Sequence, residues 1–263
     1  MSRPERLTEW LLGGVTALVL FALYAPALVV ALFSVFEVKQ QKVDFNSFSL
    51  AWYGRLLHNA DILAALRNSL AVAAAAVTLS LVLGLAIAFY ANDPRNRGRR
   101  FLELLVYLPF LLPPIITGLS LVIFFRTVGV DRSLVTVTIG HVAFLLALTY
   151  RLLMTRLRVL SPSMVEASYD LGANGWQTFR HVLFPHMRSA IVAAGLLACT
   201  LSLDETLITF FLFSNDMTLP IRLWAMMRVG FTPEINALVT LILGVTFVLA
   251  LLVSRRIELR GGN

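Results

Sequence analysis

Asp204 and Glu205 stand side by side inside LACTLSLDETLITFF, an otherwise apolar run. An acidic side chain at the centre of a membrane helix costs about 2.5–3.5 kcal/mol on insertion scales, so two adjacent ones are not expected to face lipid. Such groups suit a cationic solute, because a carboxylate offsets the hydration that an ammonium group loses on leaving water. Ser202, Glu205, Thr206 and Thr209 recur at i, i+3, i+4 and i+7, one stripe of a helix, and are expected to face a water-filled substrate path. Asp204 lies about 100° round the same helix and is expected to pair with another helix. Thr117 and Tyr150, in two other apolar runs, are further candidates for the path. The alternative for the acidic pair is a set of purely structural polar contacts. His141, alone in its run, is read as hydrogen-bonded within a bundle rather than as catalytic.

A second polar stretch, SPSMVEASYDLGANGWQTFRHVLFP from Ser161 to Pro185, lies between two apolar runs and is too polar to cross a bilayer. Ser161 followed by Pro162 predicts an N-cap with proline at the first helical position. Gly172 predicts the end of that helix in a left-handed turn. Asn174, with Gln177 three residues on, predicts a second N-cap and capping box. The expected form is helix, tight turn, helix, held against the end of a membrane bundle, where it takes up force from a partner protein. The sequence holds no GxxxxGK[ST] phosphate loop, no HExxH and no GxSxG elbow. No catalytic residue, metal-ligand set or cofactor site is therefore expected in this chain, and an enzyme reading has little support.

The elements that must hold these residues are membrane helices. The chain of 263 residues is 58% hydrophobic and only 14% charged, with a mean hydropathy of +0.80, whereas soluble domains run near a quarter charged. Six apolar runs, about 11–36, 62–91, 101–127, 134–155, 188–213 and 235–254, are long enough to cross a hydrocarbon core of about 30 Å. The fold class is thus an all-α membrane protein, read as a single transmembrane domain over 1–263. The first run exceeds the apolar core of a signal peptide and is read as a retained span. Cys199 is the only cysteine, which excludes an internal disulfide.

Arginine placement orients the spans. The segments around Arg3, Arg95–Arg100, Arg151–Arg188 and Arg255–Arg260 carry 14 of the 22 basic residues, which puts both termini and the Ser161–Pro185 stretch in the cytoplasm. The net charge of +7 accordingly marks loops and does not call for nucleic acid. The outer loop from Glu37 to Ala60 carries Phe45, Phe48, Trp52 and Tyr53, read as an interfacial aromatic belt or as a docking surface for an external partner. Small residues Ala71–Ala76 and Gly84 predict close helix packing in the second span. Pro109, Pro113, Pro114 and Gly118 predict that the third is kinked or locally unwound, either for packing or to line a pathway. PIRLWAMMRV, from Pro220, is expected to lie as a helix in the interface.

Glu-Ala-Ser-Tyr-Asp-Leu-Gly, nine residues, then Val-Leu-Phe-Pro (Glu166 to Pro185) resembles the cytoplasmic signature of permease subunits of bacterial ATP-binding cassette (ABC) importers, usually E-A-A-x-x-x-G, nine residues, I-x-L-P. Glu166, Ala167, Gly172 and Pro185 match outright, and Ser168, Val182 and Phe184 depart conservatively. LPPIITGLSL, TLSLDE and TPEINALVTLILG are similar to segments of the polyamine (spermidine/putrescine) subgroup. The resemblance runs from about Trp52 onward. It implies a type I importer fold of six transmembrane helices with a cytoplasmic coupling-helix pair at 161–185, in which Glu166, Ala167, Asp170, Gly172 and Pro185 engage an ATPase. It further implies a second permease, of a different sequence in the polyamine group, two ATP-binding cassette subunits that hold ATP and Mg, and an external substrate-binding protein. Opines, other amines, amino-acid derivatives and phosphonates are the alternative cargoes. A self-sufficient channel or ion-driven transporter is the rival from another class.

Overall fold

The computed structural model describes residues 3–39, 42–230 and 232–261. The side chains of Arg3, Arg6, Arg255, Arg256 and Arg260, used above for orientation, lie outside what is described. Twelve helices and one short hairpin make up the described chain. α1 (Arg3–Phe33), α3 (Ala60–Asn92), α6 (Leu134–Val159) and the helical run Gly175–Asp204 are each long and apolar enough to cross a membrane. α4 (Arg99–Leu111) and α5 (Pro114–Thr127) pass the same test only as a pair, bent by 108°. α12 (Pro233–Gly261) is apolar over Pro233–Val248.

The chain divides into two compact units. One joins residues 1–63 to 223–263. In it α1 and α2 (Ala51–His58) both pack on α12, and β1 (Glu37–Lys39) pairs antiparallel with β2 (Lys42–Asp44). The buried Ser34 hydroxyl meets the Tyr53 hydroxyl at 2.6 Å. Phe45 and Phe48 are exposed and make edge-type ring contacts with Phe36, while Trp52 and Tyr53 are half-buried.

The other unit, Ala64–Arg222, is built around α6. Its buried face packs on α4, α5, α9 (Phe184–Asp204) and α10 (Leu207–Leu212). Ser133 opens α6 with a capping box to Thr136, which satisfies two otherwise unpaired N–H groups. α3 lies close to α6 because of a small residue. A Cβ on Gly84 would stand 2.9 Å from Thr149 Oγ1 and 3.0 Å from the Tyr150 backbone nitrogen. Thr149 in turn donates to the Ser80 carbonyl at 2.9 Å, a contact that only a near-bare helix face permits.

The bend in the third span has a local cause. Pro113 and Pro114 carry no N–H, so the carbonyls of Pro109 and Phe110 lose their helical donors. Leu112 and Pro113 are extended, with ψ of 143° and 137°, and Pro114 starts α5 as its first residue. The Thr117 hydroxyl, 5% exposed, reaches back to the abandoned Pro109 carbonyl at 3.3 Å. Thr117→Val keeps the shape and removes that donor. It should lower stability by about 1 kcal/mol, since an unmet carbonyl in a bilayer has no water to turn to. Thermal unfolding of the purified complex in detergent is the measurement, and an unchanged midpoint would mean the carbonyl is satisfied otherwise.

Two helix ends differ from expectation. The second polar helix was expected to stop near Pro185, before a fifth span opening at about 188. Instead α8 (Gly175–Thr178) passes through a π turn at Phe179–Leu183 straight into α9. Pro185 denies an N–H to the His181 carbonyl, and the widened turn just before it accommodates the proline ring without ending the helix. The fifth span in turn does not run unbroken to 213, because it is interrupted after Asp204.

Candidate functional site

Glu205 leaves the helix with φ −69° and ψ 111°, and α10 restarts at Leu207. Side chains near the break take over the backbone partners that the helix gives up. Glu205 Oε1 accepts the Ile208 N–H at 2.7 Å, and the Thr209 hydroxyl donates to the Glu205 carbonyl at 3.0 Å. The expected stripe of Ser202, Glu205, Thr206 and Thr209 is therefore not one helical face, because Glu205 and Thr206 form the interruption itself.

His141, 2% exposed, spans the interruption from α6. Its Nδ1 lies 2.8 Å from Ser202 Oγ, before the break, and its Nε2 lies 2.8 Å from Thr209 Oγ1, after it. The roles follow from the proton count. The one Thr209 proton is committed to the Glu205 carbonyl, so Thr209 accepts from Nε2–H, and Nδ1 accepts from the Ser202 hydroxyl. Ser202 and Thr209 are thus buried ties to histidine (5% and 0% exposed), where a water-facing position was expected. Asp204, expected to pair with another helix, is exposed at the end of α9, because the chain turns away directly after it. Glu205 is half-buried at the break.

The remaining path candidates fall apart. Thr117 serves the bend of the third span. Tyr150 lies nine residues beyond His141 on α6, about 13 Å along the helix. It is 1% exposed and donates to Glu103 Oε1 at 2.7 Å, with the Tyr107 ring edge-on at 5.9 Å. Glu103 escaped the sequence reading because it opens an apolar run directly after Arg99 and Arg100, where an acid looks like ordinary span-end punctuation. His141 was read as a bundle contact, and nothing in its neighbourhood in sequence could reveal that it joins two pieces of a broken helix 60 residues on.

The Ser161–Pro185 stretch forms α7 (Pro162–Asp170), a turn, then α8. Gly172, at φ +83°, closes α7 with the paired bonds of a glycine C-cap: its N–H donates to the Tyr169 carbonyl at 2.8 Å and that of Ala173 to the Ser168 carbonyl at 3.0 Å. Asn174 and Gln177 exchange both bonds of a capping box, at 2.8 and 2.9 Å. Ser161 makes no cap bond and meets Ser163 instead, at 2.6 Å. The two arms are tied inside by the Thr178 hydroxyl on Ser168 at 2.9 Å. Phe179 anchors them to α3, its ring 5.7 Å from that of Phe89.

Outward, the element is unlike a solvated loop. Tyr169, Leu171 and Trp176 are 53%, 89% and 66% exposed, an apolar knob flanked by the exposed acids Glu166 and Asp170 and by exposed Ala167. Pro185 is exposed as well. Beside the knob lies a cleft of about 510 Å³ lined by Glu166, Asp93, Arg95, Leu157, Pro162 and Leu183 among others. Large exposed apolar side chains grouped in this way are a feature that protein-binding surfaces share.

Known proteins share both the fold and the sequence. A chain of a bacterial ABC transporter involved in the import of the acidic polysaccharide alginate superposes with a TM-score of 0.75, over 97% of this chain and 98% of that one, at 18% identity. An amino acid ABC transporter gives a TM-score of 0.59 over 80% of this chain and 99% of that one, at 16% identity. In sequence, the chain is 36% identical to the putrescine transport system permease protein PotI of Escherichia coli K12, over 84% of this chain and 82% of that protein. It is 30% identical to the spermidine/putrescine transport system permease protein PotC of Haemophilus influenzae, over 88% and 90%. Residues 80–258 match the family described as the binding-protein-dependent transport system inner membrane component. The bent third span, the paired polar helices and these likenesses have one explanation: the chain belongs to that family, as a multi-pass transport component of the type I importer permease fold.

Proposed function

We propose that this chain is one of two permease subunits of an ATP-driven importer that carries protonated putrescine or spermidine into the cell. The supporting observation is the likeness to permeases named for those amines, at 36% and 30% identity along most of the chain. Glu205 agrees with it: a half-buried carboxylate at an interruption of a membrane helix offers a negative group where a solute could pass. Asp204, exposed next to it, is the second acid of the path. The companion permease is a different chain, and an external binding protein delivers the amine.

Both termini and the α7–α8 element lie in the cytoplasm on this reading, the side favoured by the arginine-rich turns. An ATPase subunit seats there, and a pair of such subunits holds the ATP and Mg that the cycle consumes. Leu171, Trp176 and Tyr169 fill a groove on it, with Glu166 and Asp170 at the polar rim and Ala167 permitting close approach. Gly172 and Pro185 set the angle of the two arms. ATP binding in the partner then biases two arrangements of the bundle.

Uptake of labelled putrescine by cells carrying Glu205→Gln tests the amine path. The amide oxygen still accepts from Ile208, so abundance in the membrane should hold while uptake falls by about tenfold or more, the factor that corresponds to 1.4 kcal/mol. Uptake at the parent level would leave Glu205 as a helix-break residue only.

A further inference from the structure

The turn between α3 and α4 is fixed by its own hydrogen bonds. Asp93 Oδ1 accepts the Arg95 N–H at 2.9 Å, and the Asp93 carbonyl accepts that of Asn96 at 3.2 Å. The Asn96 side chain donates to the Tyr90 carbonyl, and the Tyr90 hydroxyl donates to the Arg97 carbonyl, both at 2.7 Å. Each end of the turn is therefore clamped to the last turns of α3.

From this clamp three arginines, Arg97, Arg99 and Arg100, project within four residues. Among the described residues none of their guanidinium groups has an ion pair or a hydrogen bond, and one oxygen of Asp93, the acid of the turn, is held by backbone. A loop arginine in water needs no partner, but these stand where a bilayer begins. Phe101, Leu104 and Leu108 follow at i, i+3 and i+7 on α4 and are 65%, 57% and 48% exposed. Arg100 stands one turn before Leu104 on that same face. Charge at the head and an apolar stripe running away from it match the shape of a phospholipid.

We propose that the α3–α4 turn is a headgroup site for an anionic phospholipid, with Arg97 and Arg100 on the phosphodiester, Arg99 adding charge, and the Phe101–Leu108 face against the acyl chains. The guanidinium fork fits two phosphate oxygens at once. A zwitterionic lipid offers the same phosphate but brings its own cation to the arginines, so the site discriminates by net charge. The site needs the membrane family alone and does not depend on which solute is carried. By holding the end of α3, which also carries Phe89 against Phe179, bound lipid would steady the element on which the partner protein docks.

The test uses the complete transporter in nanodiscs of equal phosphatidylglycerol and phosphatidylcholine, with the lipids that stay bound after mild delipidation identified by native mass spectrometry. The parent complex should retain phosphatidylglycerol preferentially. The Arg97→Gln/Arg100→Gln variant should lose that preference by roughly thirtyfold, the factor that two basic residues supply at a membrane surface. Undiminished preference in the variant overturns the proposal. So does a variant that keeps the preference and sheds the ATPase, which would make the arginines a protein contact. Should the variant not assemble, the parent complex alone decides: its preference must fall when salt is raised from about 0.05 M to about 0.5 M, where surface charges are screened, and an unchanged preference rejects the site.

Discussion

His141→Leu should be the most damaging single change inside the bundle. Leucine fills a similar space, so no cavity opens, but Ser202 loses its acceptor and Thr209 its donor. Interhelical hydrogen bonds in membranes average about 0.6 kcal/mol and reach about 1.7 kcal/mol. Two of them at a site 2% exposed then amount to about 1–3 kcal/mol. In the α6 unit this corresponds to a fall of roughly 4–8 °C in the unfolding midpoint for a loss near 2 kcal/mol. The loss is not confined to stability. Thr209 also holds the Glu205 carbonyl, and Glu205 caps α10 through Ile208, so a loosened Thr209 frees the carboxylate to wander. Half-saturation for uptake should therefore rise more than the maximal rate falls. The single changes Ser202→Ala and Thr209→Val should each do less, and a double-mutant cycle with His141 should show coupling. Additive effects, or an unfolding midpoint that does not move, would mean that the break holds itself together without histidine.

That network also marks where the sequence stops being informative. The Gly172 turn and the Asn174–Gln177 box were legible because their bonds join residues three to five apart, and local chemistry fixes them whatever surrounds them. The apolar runs were legible for a similar reason, since a helix in lipid must satisfy its own backbone and announces itself by composition. Pro113 and Pro114 located the bend of the third span but not its 108°, which depends on how α5 packs against α10. Pro185 looked like an end and is not one, because a π turn absorbs it, and helix phase gives no warning of that choice. The interruption at Glu205 was hidden for a deeper reason. Asp, Glu and Thr are tolerated in helices and in breaks alike, and the side chain that bridges this break, His141, is more than 60 residues away. Helical periodicity does put Ser202 and Thr209 on one side, but it cannot say what that side faces, and here it is His141 of α6 where water was expected.

Gly172→Val should uncouple the protein while leaving it in the membrane. The position has open space, with no atom within 4 Å of where a Cβ would stand, so the obstacle is conformational. Gly172 sits at φ +83°, a region that costs an ordinary side chain about 1–3 kcal/mol, with β-branched residues among the worst. Valine would escape by rotating the backbone out of the left-handed region. That breaks the bonds from Gly172 to Tyr169 and from Ala173 to Ser168, and with them the angle between α7 and α8. Leu171 and Trp176 lie on opposite sides of this turn, 89% and 66% exposed, so their relative placement is what a docking partner would read. None of the long apolar helices passes through the turn, so insertion and abundance should be unaffected. Transport and ATPase copurification should both drop by about tenfold or more, since loss of a buried aromatic or aliphatic anchor at an interface removes about 2 kcal/mol or more. Gly172→Asn separates backbone from side chain, because asparagine tolerates the left-handed conformation and should retain most of the activity. If valine transports as the parent does, the turn is not a coupling element; if asparagine fails along with valine, the partner contacts position 172 directly and needs the glycine for room.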